Sequence, residues 1–286
     1  MSRLSQAGTR HLRFRHLTSG DKQLITTQQF TTYRTWFDTT LARFKELHPN
    51  DLAKIELKEH HALRVCREIV DLAESEELSD DYVRLAKTAA LLHDVGRIEQ
   101  YAEHGEVLDL HSEDHAQLGI ALLRRENVLN DLDADTRDLI CRVISYHNRA
   151  GLPENETERC LLFTKLLRDA DKLDILEIMI HYYEHPEDSV EELITLRLNN
   201  TPEVSPEVIA DLESRSIVKA EHLKTSADLK MLQMGWSYDI YFPHTFRQFA
   251  EREYLAKILK HVPHPPEVLA VYEALRSYIR EKIEDR

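Results

Sequence analysis

Six ionisable side chains lie on or beside apolar helical stripes of this 286-residue chain and could together build a metal site. They are His61, His93, Asp94, His115, His147 and Asp171. His61, for example, is followed by Val65 and Ile69 at offsets of four and eight, which predicts that it lies on the buried face of a helix. A lone histidine on such a face is usually a hydrogen-bonded core residue. Repetition of the pattern on five predicted helices instead indicates a shared metal centre, because ionisable groups are costly to bury unless paired or bound to metal.

The helices that must position these residues begin and end close to them. A helix that starts after Ser79 is predicted to end around His93 and Asp94, so that two adjacent side chains can converge on one ion. Gly96 is the predicted C-cap of this helix. Gly119, one turn after His115, would allow another backbone to approach closely.

Neighbouring charged residues are predicted to lie on other helix faces than the ligands. His60 lies on a different helix face from His61 and is predicted to be solvated. Asp171 shares a face with Leu167 and Ile175. Its neighbours that are predicted to lie on other faces are Asp169, Lys172 and Asp174.

The order of these residues resembles the HD-domain superfamily of metal-dependent phosphohydrolases. The matching segments are HALRV at 61–65, LLHDVGR at 91–97, YHN at 146–148 and RDADKLD at 168–174, within about residues 55–180. The resemblance implies an all-α fold, an HD-domain helical bundle with additional N- and C-terminal helices and a site between the central helices. His115 and His147 match the two extra histidines of members that hold two metals. Arg97 stands where many relatives have lysine, which keeps the charge but changes the donor geometry.

The resemblance implies two metal ions as cofactors, and imidazole and carboxylate donors without thiolate suit divalent Mn, Fe, Co, Ni or Zn better than Ca or Mg. Asp94 is the predicted bridge between the ions. A hydroxide held between them would attack phosphorus in line, so no nucleophilic side chain is needed. The predicted ligands are His61, His93 and Asp171 for one ion, and His115 and His147 for the other.

Cations close to the ligands in sequence are predicted to hold the phosphate of a substrate. Arg64, Arg97 and Asn148 are the predicted substrate contacts, and Arg97 is also a predicted catalytic residue together with Asp94. Lys172 is the third predicted catalytic residue, with the alternative that it orients a metal-binding carboxylate. Arg64, Arg97 and Lys172 could also be solvated or paired with nearby acids. That interpretation is favoured for Arg168, a fourth cation close to the ligands in sequence.

Composition narrows the class of partner. The chain has 37 Lys+Arg against 51 Asp+Glu, a formal charge of −14, which argues against general nucleic-acid affinity and favours a small phosphorylated substrate such as a nucleotide. No apolar run approaches the ~18 residues of a membrane span and no leader is recognisable, so a cytoplasmic protein without membrane contact is expected. Three cysteines without CxxC spacing are predicted to be reduced structural residues. A homo-oligomer is compatible with this composition.

The chain divides into three predicted regions: a partly disordered N-terminal segment at 1–20, a metal-binding helical core at 21–186, and a C-terminal helical extension at 187–286 that packs on the core. An aromatic segment at 231–249 is predicted either to cover the substrate as a lid or, as the favoured alternative, to pack on the core.

The sequence therefore predicts a metal-dependent phosphohydrolase that cleaves a phosphomonoester or phosphodiester of a nucleotide or similar small metabolite. One alternative is a dinuclear-iron oxygenase of the inositol-oxygenase type, against which Arg97 and the other cations weigh. The other is a nucleotide-binding regulatory module with slow turnover, against which the complete ligand set weighs.

Overall fold

The computed structural model describes residues 24–104, 114–188 and 198–285 of the protein. These three ranges are largely helical and contain no β-strand, which confirms the predicted all-α fold. The predicted disordered segment at 1–20 lies outside the described residues.

The α-helices of the described ranges alternate with short turns. In chain order they are α1 (Thr27–Leu47), α2 (Leu52–Ser75), α3 (Asp80–Leu92), α4 (Val95–His104), α5 (His115–Arg125), α6 (Ala134–Tyr146), α7 (Glu158–Glu184), α8 (Pro206–Glu213), α9 (Ser226–Gly235), α10 (Pro243–Glu251), α11 (Tyr254–Leu259) and α12 (Pro266–Glu284).

The long helix α7 lies at the centre of the molecule, because its apolar residues surround the helix rather than forming one stripe. Its residues up to Ala170 pack with α1 to α6 in one apolar cluster. From Leu173 onward they pack with the C-terminal helices in a second cluster. The division of the chain near residue 186 stays a prediction, since α7 contributes to both clusters.

The aromatic segment at 231–249 contributes to the two apolar clusters. Phe242 joins the first cluster, and Phe246 and Phe249 join the second. Burial of these large side chains favours the packing alternative over the lid.

Gly96 is not the C-cap of α3, so this prediction was wrong. Helix α3 ends at Leu92, and Gly96 lies in the first turn of α4, which packs against α5. A Cβ atom on Gly96 would lie 2.0 Å from the carbonyl oxygen of His115 and 2.4 Å from the backbone nitrogen of Gly119. Gly96 is therefore required by a backbone contact between helices. The close approach predicted at Gly119 is confirmed, because a Cβ atom there would lie 3.1 Å from the nitrogen of Gly96.

The cysteines agree with the prediction, since Cys66, Cys141 and Cys160 are free thiols in buried positions. No helix within the described ranges combines the length and the apolar character that are needed to cross a membrane.

Candidate metal centre

The six predicted ligands come together from five parts of the fold. Helix α2 supplies His61, the turn after α3 supplies His93 and Asp94, and α5 begins with His115. His147 directly follows α6, and Asp171 lies in the middle of α7. All are buried except Asp171, whose side chain is 16% exposed.

One group of donor atoms surrounds the Nε2 atom of His61. This atom lies 3.3 Å from Nε2 of His93, 3.1 Å from Oδ1 of Asp171 and 3.6 Å from Oδ2 of Asp94. The group joins α2, α7 and the turn after α3 around one small volume.

A second group surrounds the other oxygen of Asp94. Its Oδ1 atom lies 3.2 Å from Nε2 of His115 and 3.8 Å from Nε2 of His147. The two imidazole Nε2 atoms are themselves 3.0 Å apart. Nε2 of His93 also lies 3.8 Å from this oxygen, so His93 borders both groups, whereas Oδ2 of Asp94 faces His61.

Backbone carbonyls fix two of the imidazole rings. Nδ1 of His93 donates to the carbonyl oxygen of Ala90 at 2.8 Å, and Nδ1 of His147 donates to that of Ile144 at 2.7 Å. Because a carbonyl oxygen only accepts, the proton of each neutral ring is on Nδ1 and the Nε2 lone pair points into the cluster. This is the ring orientation that a metal-binding histidine requires.

Asp174 fixes the ring of His61, although its spacing was taken to place it on another helix face from Asp171. The carboxylate is 2% exposed and accepts from Nδ1 of His61 at 2.7 Å. It also accepts from Nε of Arg64 at 2.6 Å. The sequence interpretation therefore missed Asp174 as a residue of the site. Its offset of three from Asp171 was the available signal, since residues three apart are neighbours on a helix.

Lys58 is a second residue of the site that the sequence interpretation missed. Its Nζ atom lies 2.8 Å from Oδ2 of Asp94. Its position three residues before His61 was the available signal, because that spacing puts both side chains on one side of α2.

Positive neighbours keep the buried carboxylates ionised. Burial alone would raise the pKa of Asp94, but Lys58 and His93 hold it well below its usual range. Burial also opposes ionisation of Asp171, but the neighbouring His61 and His93 rings outweigh it and hold the pKa of Asp171 well below its usual range. Both groups can therefore act as anionic ligands at neutral pH.

The imidazoles are shifted in opposite directions. Burial lowers the pKa of His61, but Asp171 and Asp174 outweigh it and raise the pKa to about 9. Burial lowers the pKa of His147 and outweighs the opposing effect of the Asp94 carboxylate. His147 is therefore neutral near pH 7, whereas His61 must release a proton before its Nε2 atom can bind a cation.

The donor set fits a divalent metal. The Oδ1 atom of Asp171 is buried and has no hydrogen-bond partner among the described residues. Its nearest imidazole nitrogens, on His61 and His93, lie 3.1 and 3.7 Å away. A buried carboxylate oxygen without a hydrogen-bond partner, close to imidazole lone pairs, lowers the stability of the fold. A cation bound between these donors would remove that cost.

The remaining predicted site residues contact neighbours around this cluster. Arg97 donates to the side-chain oxygen of Gln100 at 2.7 Å. Asn148 donates at 2.7 Å to Asp114, which caps the helix that begins with His115. Their roles toward a substrate stay predictions.

Lys172 lies beside an acid that the sequence interpretation did not consider. Its Nζ atom is 2.7 Å from Oδ2 of Asp239, a buried residue of the C-terminal region. Burial lowers the pKa of Lys172 despite this partner. The proposed contact of Lys172 with a metal-binding carboxylate stays a prediction.

A buried cluster of imidazole and carboxylate donors between helices, as in the described ranges, is typical of helical metal-binding proteins. Residues 59–176 match the family model of the HD domain, a range that contains all six clustered residues. This part of the chain is an HD domain, which confirms the predicted family, and HD domains are generally metal-dependent hydrolases. The comparisons with curated proteins and with solved structures found no match.

Proposed function

We propose that the protein is a metal-dependent phosphohydrolase that cleaves a phosphomonoester or phosphodiester of a nucleotide or similar small metabolite. The observation that supports it best is that the two oxygens of Asp94 lie near different imidazoles, Oδ2 3.6 Å from Nε2 of His61 and Oδ1 3.2 Å from Nε2 of His115. A shared carboxylate between two sets of imidazoles suits a pair of divalent ions a few ångströms apart.

Each residue of the cluster would act as a metal ligand. The two ions, when bound, would lower the pKa of water and stabilise the negative charge of the phosphoryl oxygens. Asp94 would serve both ions. The remaining ligands would be His61, His93 and Asp171 for one ion, and His115 and His147 for the other.

The cations around the cluster would bind the substrate phosphate. Arg64 is 31% exposed and is held by Asp174, so its guanidinium borders the His61 side of the cluster. Arg97 lies in the first turn of α4, three residues after Asp94, and offers a planar donor group for phosphoryl oxygens. Asn148 would bind from the His147 side, and Lys172 would contribute positive charge beside Asp171.

Elemental analysis of protein purified without added metal, combined with the Asp94→Ala variant, tests this proposal. Wild-type protein should carry about two transition-metal ions per chain and release phosphate from nucleotides or other phosphoesters. Asp94→Ala should lose both properties because it removes the shared ligand. Asp138→Ala, which removes a largely exposed carboxylate from α6, is the matched control and should keep both.

Each alternative gives a different result in the same experiment. Oxygen consumption by the iron-loaded protein, without phosphate release, would favour the oxygenase. Nucleotide binding without turnover would favour the regulatory module. Full phosphatase activity in Asp94→Ala would refute the ligand assignment.

A further inference from the structure

A buried arginine holds the end of the helix that leads to His147. Arg168 of α7 is 4% exposed, and its Nη1 atom donates to the carbonyl oxygens of Tyr146 at 3.3 Å, of His147 at 3.0 Å, and of Arg149. Carbonyl groups at the end of a helix have no partners within the helix and carry partial negative charge. Arg168 therefore satisfies several acceptors at the point where the chain leaves α6.

Asp239 balances the charge of Arg168 from outside the HD domain. It lies on a short 3-10 turn, Trp236–Asp239, is 6% exposed, and accepts from Nη2 of Arg168. It also accepts from Nζ of Lys172 at 2.7 Å and from the hydroxyl of Tyr241. One carboxylate thus balances two buried cations of α7 that flank Asp171 in sequence.

We propose that Asp239 is a positioning residue for His147, acting through Arg168. Without its charge, the two cations would be left close together in a buried site, which is strongly unfavourable. Arg168 would then turn from the carbonyls of α6 to reach water. The backbone that carries His147 would lose its fixed position, so the Nε2 atom of His147 would no longer be held facing Asp94.

This inference rests on the proposed function, in which His115 and His147 bind the second ion. It extends that site beyond residues 59–176, because one of the groups that fixes its geometry belongs to the C-terminal region. Defects in such supporting partners typically weaken metal affinity by about 10- to 100-fold.

Titration of the metal-free full-length protein with Co²⁺, followed by visible absorption, reports binding without reference to turnover. In Asp239→Asn we expect the second ion to bind about 10-fold more weakly and the first to bind as in the wild type. Asp239→Glu, which keeps the charge, should restore part of the affinity. His147→Ala marks the transition that belongs to the second ion.

Glu68→Gln is the control for general loosening of the C-terminal region. Glu68 of α2 binds Arg252 of that region through contacts of 2.8 and 2.9 Å, away from the cluster. This variant should leave both Co²⁺ transitions unchanged. Equal weakening of both ions in Asp239→Asn, or of the second ion in Glu68→Gln, would show a merely structural role and refute the inference.

Other outcomes separate this inference from the proposed function. Wild-type protein that binds two ions, with Asp239→Asn binding them equally well, refutes the inference alone. Wild-type protein that binds no ion refutes the proposed function as well. If Asp239→Asn does not fold, Tyr241→Phe replaces it, since it removes only one donor to Asp239. A smaller weakening of the second ion then supports the inference, and unchanged affinity refutes it.

Discussion

Replacing Asp174 with Asn should weaken metal binding at the His61 side of the cluster. The carboxylate accepts from Nδ1 of His61 at 2.7 Å and from Nε of Arg64 at 2.6 Å. The amide of Asn has nearly the same volume but no charge, so it makes weaker hydrogen bonds and presents an NH₂ group that His61 cannot accept through Nδ1–H. The ring of His61 would then be held less firmly.

The expected loss is about 10- to 100-fold in affinity, or roughly 1.4 to 2.7 kcal/mol. The contact with Arg64 adds little to this figure, because that side chain is 31% exposed and water can replace its partner. The loss should be larger above neutral pH. Asp171 and Asp174 raise the pKa of His61 to about 9 against the effect of burial, so a proton competes with the metal in the wild type. Asp174→Asn should lower that pKa and offset part of the loss near pH 7.

Isothermal titration with Mn²⁺ or Zn²⁺ at about pH 7 and about pH 8.5 measures both effects. The wild-type affinity should increase with pH as His61 loses its proton, and the ratio of variant to wild-type dissociation constants should increase as well. Asp38→Asn is the matched control, because Asp38 also pairs with an arginine but in an exposed position on α1. Equal affinities of Asp174→Asn and wild type at both pH values would refute the assigned role of Asp174.

Three further predictions follow from burial and packing. His60→Ala should keep the metal content because His60 is exposed, whereas His61→Ala should lose metal; equal losses in elemental analysis would contradict the assignment of His61. Gly96→Ala should lower the free energy of unfolding by at least about 3 kcal/mol, because the added Cβ would lie 2.0 Å from a backbone oxygen of His115. Gly151→Ala, with nothing within 4 Å of the new Cβ, should change the denaturant midpoint very little, and similar effects of both variants would exclude the close backbone contact. The pKa of His61 is raised to about 9 in the folded state, so protonation of His61 stabilises the metal-free protein fully below about pH 6.5. This stabilisation is lost as the pH rises through 9. His61→Gln should remove this decline in the free energy of unfolding, as measured by denaturant titrations at several pH values.

The ligand residues could be predicted from the sequence because their signals are local. The apolar spacing after His61 defines its helix face, and the adjacent pair His93 and Asp94 stands at a helix end whatever the neighbouring helices do. Imidazole and carboxylate groups are also the side chains that bind transition metals, so residue type carries part of the chemistry.

The partners of the supporting residues could not be assigned in this way, because they lie far away in the chain. Asp174 contacts His61 across 113 residues, and Arg168 contacts Asp239 across 71. Gly96 also looked like a helix cap, since a glycine after a helix is typical of a C-cap and nothing local indicates the approach of α5.

The amino-acid sequence was sufficient to predict the helical class, the HD domain and the six side chains that gather at the cluster. The packing of the helices was needed to show which charged residue contacts which partner: Lys58 contacts Asp94, Asp174 contacts His61, and Asp239 contacts Arg168, the arginine behind His147. The physical reason is that periodicity specifies a direction around one helix, whereas the partner of a buried charge depends on how separate helices pack.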